Sequence, residues 1–286
     1  MLLVILLVAS AEGLKILSAP SPLPTPTGVP AGAFNYHERV GVPLAQRLLA
    51  AEVRVGRVAG GQTPYLGEHK FFAGLLITLK SDKRSTCSAV LVSNTRVLTA
   101  AACWYDGVNT ARALLVALGT TRINYDGVRV NATAIAVHPN YNAFTENNIA
   151  VLTIPFVQTT ELIRPIRLAS GSESFAGYTA HIIGFGRTST ESSTQSAHDA
   201  LVPVLSNAMC ARYFGSAVKP EHVCTAGAGA LGACPGDDGG PLALKEPGDE
   251  MLIGVISFMH PFGCSSGYPS VHTRVSHHYN WISVQL

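Results

Sequence analysis

The sequence predicts a secreted, mostly β protein. Three observations carry that prediction: short apolar runs of strand length separated by turn residues, six cysteines, and an apolar leader at the N-terminus. With 286 residues, 47% of them hydrophobic, the chain can bury a large core, as one compact unit or as two small subdomains. The formal net charge is +2 and lysines and arginines form no run or stripe, which argues against nucleic acid as a partner.

Taken in order, residues 1–11 combine a short apolar run with Ala9-Ser10-Ala11, the pattern of a secretory signal and its cleavage site, although no basic residue precedes the run. The run is too short to span a bilayer and no later segment is apolar for long enough, so an extracellular protein with no membrane partner is expected. Residues 12–34 are rich in Pro, Ser, Ala and Gly and predict an extended, poorly ordered stretch. Val42, Leu44, Leu48 and Leu49 then fall at helical spacing. Beyond Val58 the runs Phe72–Leu79, Ser88–Val92, Leu114–Leu118, Ile149–Ile154, Ala180–Ile183 and Met251–Phe258 are enriched in Val, Ile, Leu and Thr and read as strands of a sandwich or barrel. Two stretches read as helical: a brief turn at Ala100–Cys103, and the tail from Ser276 through Trp281 to Val284, with Ser276 as N-cap.

Six cysteines suit an oxidising compartment; their number alone allows fifteen pairings, and none stands in CxxC spacing, which weakens a zinc reading. His277 and His278 are adjacent, and neighbouring residues on a helix point apart, so they are expected in a solvated tail. No metal and no cofactor is expected. Asn131-Ala132-Thr133 is an acceptor sequence for glycosylation at Asn131.

Three motifs carry the chemistry. Gly236-Asp237-Asp238-Gly239-Gly240-Pro241 resembles the nucleophile loop Gly-Asp-Ser-Gly-Gly-Pro of chymotrypsin/trypsin-like serine proteases, with Asp238 in place of the serine. Leu98-Thr99-Ala100-Ala101-Ala102-Cys103 resembles that family's Leu-Thr-Ala-Ala-His-Cys, with Ala102 for histidine. Asn147-Asn148-Ile149-Ala150-Val151-Leu152 resembles Asn-Asp-Ile-Ala-Leu, with Asn148 for aspartate. The three follow in the family's chain order. The likeness covers residues 58–286, and the stretches 35–43 and 75–79 resemble the insect digestive chymotrypsin-like branch, which points to a gut lumen.

The resemblance implies two six-stranded antiparallel Greek-key barrels, residues 58–170 and 171–286, with a C-terminal helix and a cleft between the barrels. Residues 12–57 would be a propeptide, because Arg57-Val58-Ala59-Gly60-Gly61 resembles the site at which a trypsin-like protease activates the family. The new amine of Val58 would then pair with Asp237. The pairing Cys87–Cys103, Cys210–Cys224 and Cys234–Cys264 is implied, as are an oxyanion hole at the Gly236 and Asp238 amides and a pocket formed by Gly232, Ala233, Ser257, Phe258, Met259 and Ser270. Lacking an acid at its base, that pocket would be uncharged, with Met259 partly plugging it.

Serine attack needs a base to take the hydroxyl proton, a carboxylate to orient that base, and N–H donors for the oxyanion. Ala102 offers no base, Asn148 cannot stabilise an imidazolium, and Asp238 places a negative charge where negative charge must develop. In this family itself the acid-to-amide change alone costs about 10⁴ in turnover. The expectation is therefore a protein that is no enzyme: a monomeric serine protease homologue binding protease inhibitors, proteases or substrate peptides. The alternative is an active secreted endopeptidase in digestion.

Overall fold

In a computed structural model, residues 32–52, 66–186, 196–227, 232–246, 249–260 and 264–286 are described. The leader, most of the Pro-rich stretch and the Arg57–Val58 bond lie outside them. The runs read as strands all form strands. Seven make the first sheet: β1 Phe72–Leu79, β2 Arg84–Ser93, β3 Arg96–Thr99, β4 Ala111–Leu118, β5 Val128–Asn131, β6 Ala134–Val137 and β7 Ala150–Thr153. Their order is β5-β4-β1-β2-β3-β7-β6, every pairing antiparallel.

Strands β5 and β6 are two arms of one strand bent at Ala132–Thr133. The Ala132 N–H donates to the Leu114 carbonyl of β4 and the Thr133 N–H to the Thr153 carbonyl of β7, so the bent strand joins both ends of the sheet. Seven segments thus close as six staves, which removes the sheet edges. Leu75, Ile77, Ala89, Leu91, Val97, Leu114, Val116 and Leu152 fill the interior.

The second sheet holds β8 Arg167–Leu168, β9 Thr179–Gly184, β10 His198–Leu205, β11 His222–Thr225, β12 Pro241–Glu246, β13 Asp249–Met259 and β14 Ser270–Arg274. Its order is β12-β9-β10-β11-β14-β13-β8, and β12 also pairs with β13, so six strands close into a ring. Only the two-residue β8 is extra, attached in parallel to β13. Inside lie Ile182, Val202, Val204, Val223, Leu242, Ile253 and Ile256. A third apolar cluster, with Phe72, Val90, Leu98, Ile149, Phe185 and Val255, joins the two barrels. At Gly74 any Cβ would fall 2.6 Å from Ile123 and 2.9 Å from Phe185, so only glycine allows this seam to close.

Helix α1, Val42–Glu52, has Leu44 and Leu48 buried one turn apart, whereas Leu49 is 61% exposed, contrary to its place on the expected apolar face. Helix α2, Asn207–Phe214, was not expected; the Ser206 hydroxyl caps it by accepting from the Met209 N–H. Helix α3 begins at Val275, directly after β14, so Ser276 lies inside it and is not its cap. Nor is His278 solvated: it is buried, with Nδ1 on the Arg274 carbonyl and Nε2 on the Asn147 amide oxygen. Three disulfides form, Cys87–Cys103, Cys210–Cys224 and Cys234–Cys264, leaving no free cysteine.

Candidate active-site cleft

The three substituted motif positions meet where the barrels adjoin. Ala102 lies in the single helical turn after β3, Asn148 precedes β7, and Asp238 precedes β12. All three are buried. The Asn148 amide ties the Ala102 turn to β13: its oxygen accepts the Ala102 N–H at 3.0 Å, and its NH₂ donates to the Ser257 hydroxyl at 3.0 Å. An amide, unlike a carboxylate, supplies both a donor and an acceptor, so this buried side chain is satisfied without an imidazole partner. Two residues before Asn148, Glu146 accepts from the Asn142 NH₂ at 3.1 Å.

The Asp238 carboxylate turns toward the backbone donor that the family uses for its oxyanion. The Gly236 N–H donates to Asp238 Oδ2 at 3.3 Å. Gly236 has φ +106°, a conformation that favours glycine. Burial pushes the Asp238 pKa up to about 7, and the neighbouring Asp237 charge adds to the rise, while the Gly236 N–H opposes it. Asp237 accepts from the Gly186 and Cys234 N–H groups, both at 2.7 Å, yet burial still lifts its pKa to about 6. Two adjacent carboxylates thus share a poorly solvated loop.

Gly232, Ala233 and Ser270 lie together: the Ala233 N–H donates to Ser270 Oγ at 3.2 Å, and Ser270 pairs with Met259 across β13 and β14. Met259 is partly buried. Phe258 packs away into a separate cluster with Phe214 and the Cys210–Cys224 disulfide.

Sequence reading missed what covers the cleft. Residues 33–48 pack across its rim. The Asn35 N–H donates to the Asp106 carbonyl, the His37 N–H to Asp106 Oδ2 at 2.7 Å, and the Tyr36 hydroxyl to the Thr86 carbonyl at 2.7 Å. The His37 ring contacts Ser85 Oγ at 2.8 Å through Nδ1, and Phe34 stacks on Phe144. Farther along, Leu44 lies against Gly236, where a Cβ would fall 2.5 Å from its Cδ2. The segment therefore bridges the 106–109 turn, the 143–144 loop, β2 and the Asp238 loop. Its legible signals were the helical spacing at 42–49 and the family likeness of 35–43; its partners, from Ser85 to Gly236, lie too far along the chain for any local pattern to reach.

Against this geometry, the family model described as Trypsin matches residues 58–282. The chain belongs to the trypsin family. It is 35% identical over 237 residues to a collagenase of Hypoderma lineatum, covering 81% of this chain and 88% of that protein. It is 31% identical to chymotrypsin-C of Bos taurus, over 88% and 95% of the two chains, and 34% identical to brachyurin of Leptuca pugilator, over 70% and 87%. The solved structure of HL collagenase superposes with a TM-score of 0.74 at 32% identity, covering 80% of this chain and 98% of that one.

These likenesses correct the expectation that the protein is no enzyme. Trypsin-family relatives matching most of its length carry protease names. The expectation rested on three positions of one relay of groups, and loss of a relay does not by itself define what the whole cleft does.

Proposed function

We propose that this trypsin-family protein takes polypeptide into the cleft between its barrels in the service of extracellular proteolysis. The observation that carries the reading is the cleft's own occupant: a peptide segment, residues 33–48, is hydrogen-bonded to Thr86, Asp106 and Phe144 of the first barrel and packs Leu44 against Gly236 of the second. Peptide-bond cleavage as the activity is supported by the protease names of the relatives. Ala102, Asn148 and Asp238 supply no serine, imidazole or aspartate relay, so cleavage by this chain would have to run through other groups. A second reading, capture of protein ligands such as protease inhibitors, proteases or peptides, is favoured by the Asp238 carboxylate resting on the Gly236 amide.

Three disulfides support an extracellular setting, and among the described residues no helix is long and apolar enough to cross a membrane. Asn131 is exposed at the end of β5, where a glycan would meet no obstruction from the core. The readings separate on protein cut after Arg57 by trypsin and freed of trypsin. Casein turnover above a mock preparation supports the endopeptidase reading, and the absence of fluorophosphonate labelling alongside it places the chemistry outside a seryl mechanism. No turnover, with calorimetric binding of protein-type protease inhibitors at micromolar concentration, supports capture. Neither turnover nor binding of inhibitor or peptide removes both.

A further inference from the structure

Away from the cleft, three residues far apart in sequence converge on one point. His69 lies in the turn before β1, His181 on β9 and Asp199 on β10. In the β9–β10 ladder His181 is opposite Leu201 and Asp199 opposite Ile183, which makes His181 and Asp199 diagonal neighbours on one face. His69 reaches them from the first barrel's side. Its Nε2 stands 3.5 Å from Asp199 Oδ2, and His181 Nδ1 stands 3.5 Å from the same carboxylate oxygen. One ligand atom from each residue falls within 4.8 Å of the other two.

Each of these imidazole nitrogens faces a carboxylate oxygen at 3.5 Å, longer than an ordinary N–H···O bond. His69 Nδ1, His69 Nε2 and His181 Nδ1 are buried nitrogens without a hydrogen-bond partner, although the His69 side chain is only 3% exposed. Buried polar atoms of this sort are rare and costly unless something else binds them. The donor set, two imidazole nitrogens and one carboxylate oxygen, is the kind that holds a divalent transition ion, zinc above all.

We propose that His69 Nε2, His181 Nδ1 and Asp199 Oδ2 bind a zinc ion that clamps the two barrels together. In a tetrahedral zinc site with bonds of about 2.0–2.1 Å, ligand atoms stand about 3.3 Å apart. Two of the three edges are already close to that value, and the third closes by side-chain adjustment. Glu250 on β13 completes the arrangement: its Oε1 stands 3.5 Å from His69 Nδ1, on the side of the ring opposite the ion. A carboxylate at that nitrogen fixes the tautomer that leaves Nε2 free to ligate. The fourth tetrahedral position takes a water molecule. Two carboxylates against one divalent ion leave the cluster electrically neutral, which suits a buried location. His69 is held on the segment leading into β1 and the other two ligands on the second barrel, so the ion would cross-link them.

The test uses the full, disulfide-bonded chain, stripped with chelator and titrated with zinc chloride alone. One equivalent of zinc should bind at micromolar concentration or tighter and raise the melting temperature. His181→Gln and Asp199→Asn, which keep side-chain volume, should weaken binding at least tenfold and abolish the melting shift. Glu250→Gln should weaken it about tenfold, as removal of a ligand-orienting carboxylate does. His277→Ala should change neither. Cobalt in place of zinc should give the visible absorption of a four-coordinate site. Absence of stoichiometric zinc, or zinc binding unaltered in both His181→Gln and Asp199→Asn, would overturn the assignment.

Discussion

Asp238 is held in a state that depends on pH. Its ordinary pKa of 3.8 rises to about 7 in the folded chain. Between those values the folded protein keeps a proton that the unfolded chain has released. The contribution is therefore fully present below about pH 4 and is lost as pH rises through about 7. Asn148 shows the opposite solution, a neutral amide whose two ends are both bonded. Asp238→Asn should raise stability at pH 8 by roughly 4 kcal/mol, at about 1.4 kcal/mol per pKa unit. The gain should vanish near pH 4; a gain that does not vary with pH, read from denaturant unfolding of the uncut chain, would contradict this account. At this scale the sequence was most legible. The identities of Ala102, Asn148 and Asp238 followed from motif text, and the geometry adds where the aspartate's oxygen rests.

Among the elements, α1 and the turn before it matter most. Pattern alone indicated a helix from the spacing of Leu44 and Leu48, but not that it would be buried against the Asp238 loop. Leu44→Ala should destabilise the uncut protein by about 2–5 kcal/mol, the usual cost of emptying a buried leucine site. Tyr36→Phe should cost about 1 kcal/mol through the lost bond to the Thr86 carbonyl. A further readout distinguishes loss of docking from loss of fold: amide exchange should speed up across residues 35–50 while β1 and β2 stay protected. Equal exposure of both regions would show that the segment is part of the global core. Strands β1, β2, β4, β7, β9 and β13 were legible because each holds a short aliphatic run, whereas short polar strands such as β11 and β14 carry no such signal. Helix α2 was missed although Ser206 is a sound cap, because its exposed Met209 and Tyr213 blur the apolar face.

For the whole molecule, the two closed rings are joined by a shared apolar seam, and each is braced from within, the first by Cys87–Cys103 and the second by Cys210–Cys224 and Cys234–Cys264. That construction should survive a single cut ahead of the first barrel. Trypsin is expected to cleave after Arg57, leaving a stable product whose N-terminal residue is Val58 by sequencing. Once formed, that amine would give the buried Asp237 carboxylate a cation, which no described residue supplies, in an ion pair favourable only with both partners present. Degradation to small peptides at the same protease ratio would count against this. The fold class was readable through motif likeness, and the strand count resolves once the bend at Ala132–Thr133 is recognised. The His69, His181 and Asp199 convergence was not readable, because its members are separated by 112 and 18 residues along the chain, positions 69, 181 and 199.

The docked segment also changes the molecule's relation to dilution. While residues 33–48 remain on the same chain as β2 and Gly236, they face their groove at an effective concentration of about millimolar, whatever the bulk concentration. All six cysteines pair with one another between positions 87 and 264, so a cut after Arg57 leaves no covalent tether to the segment. From that moment occupancy obeys mass action. In a concentrated secretion the freed peptide would stay on its groove, and on dilution it would leave, so that proteolysis starts the clock and volume sets when the cleft opens.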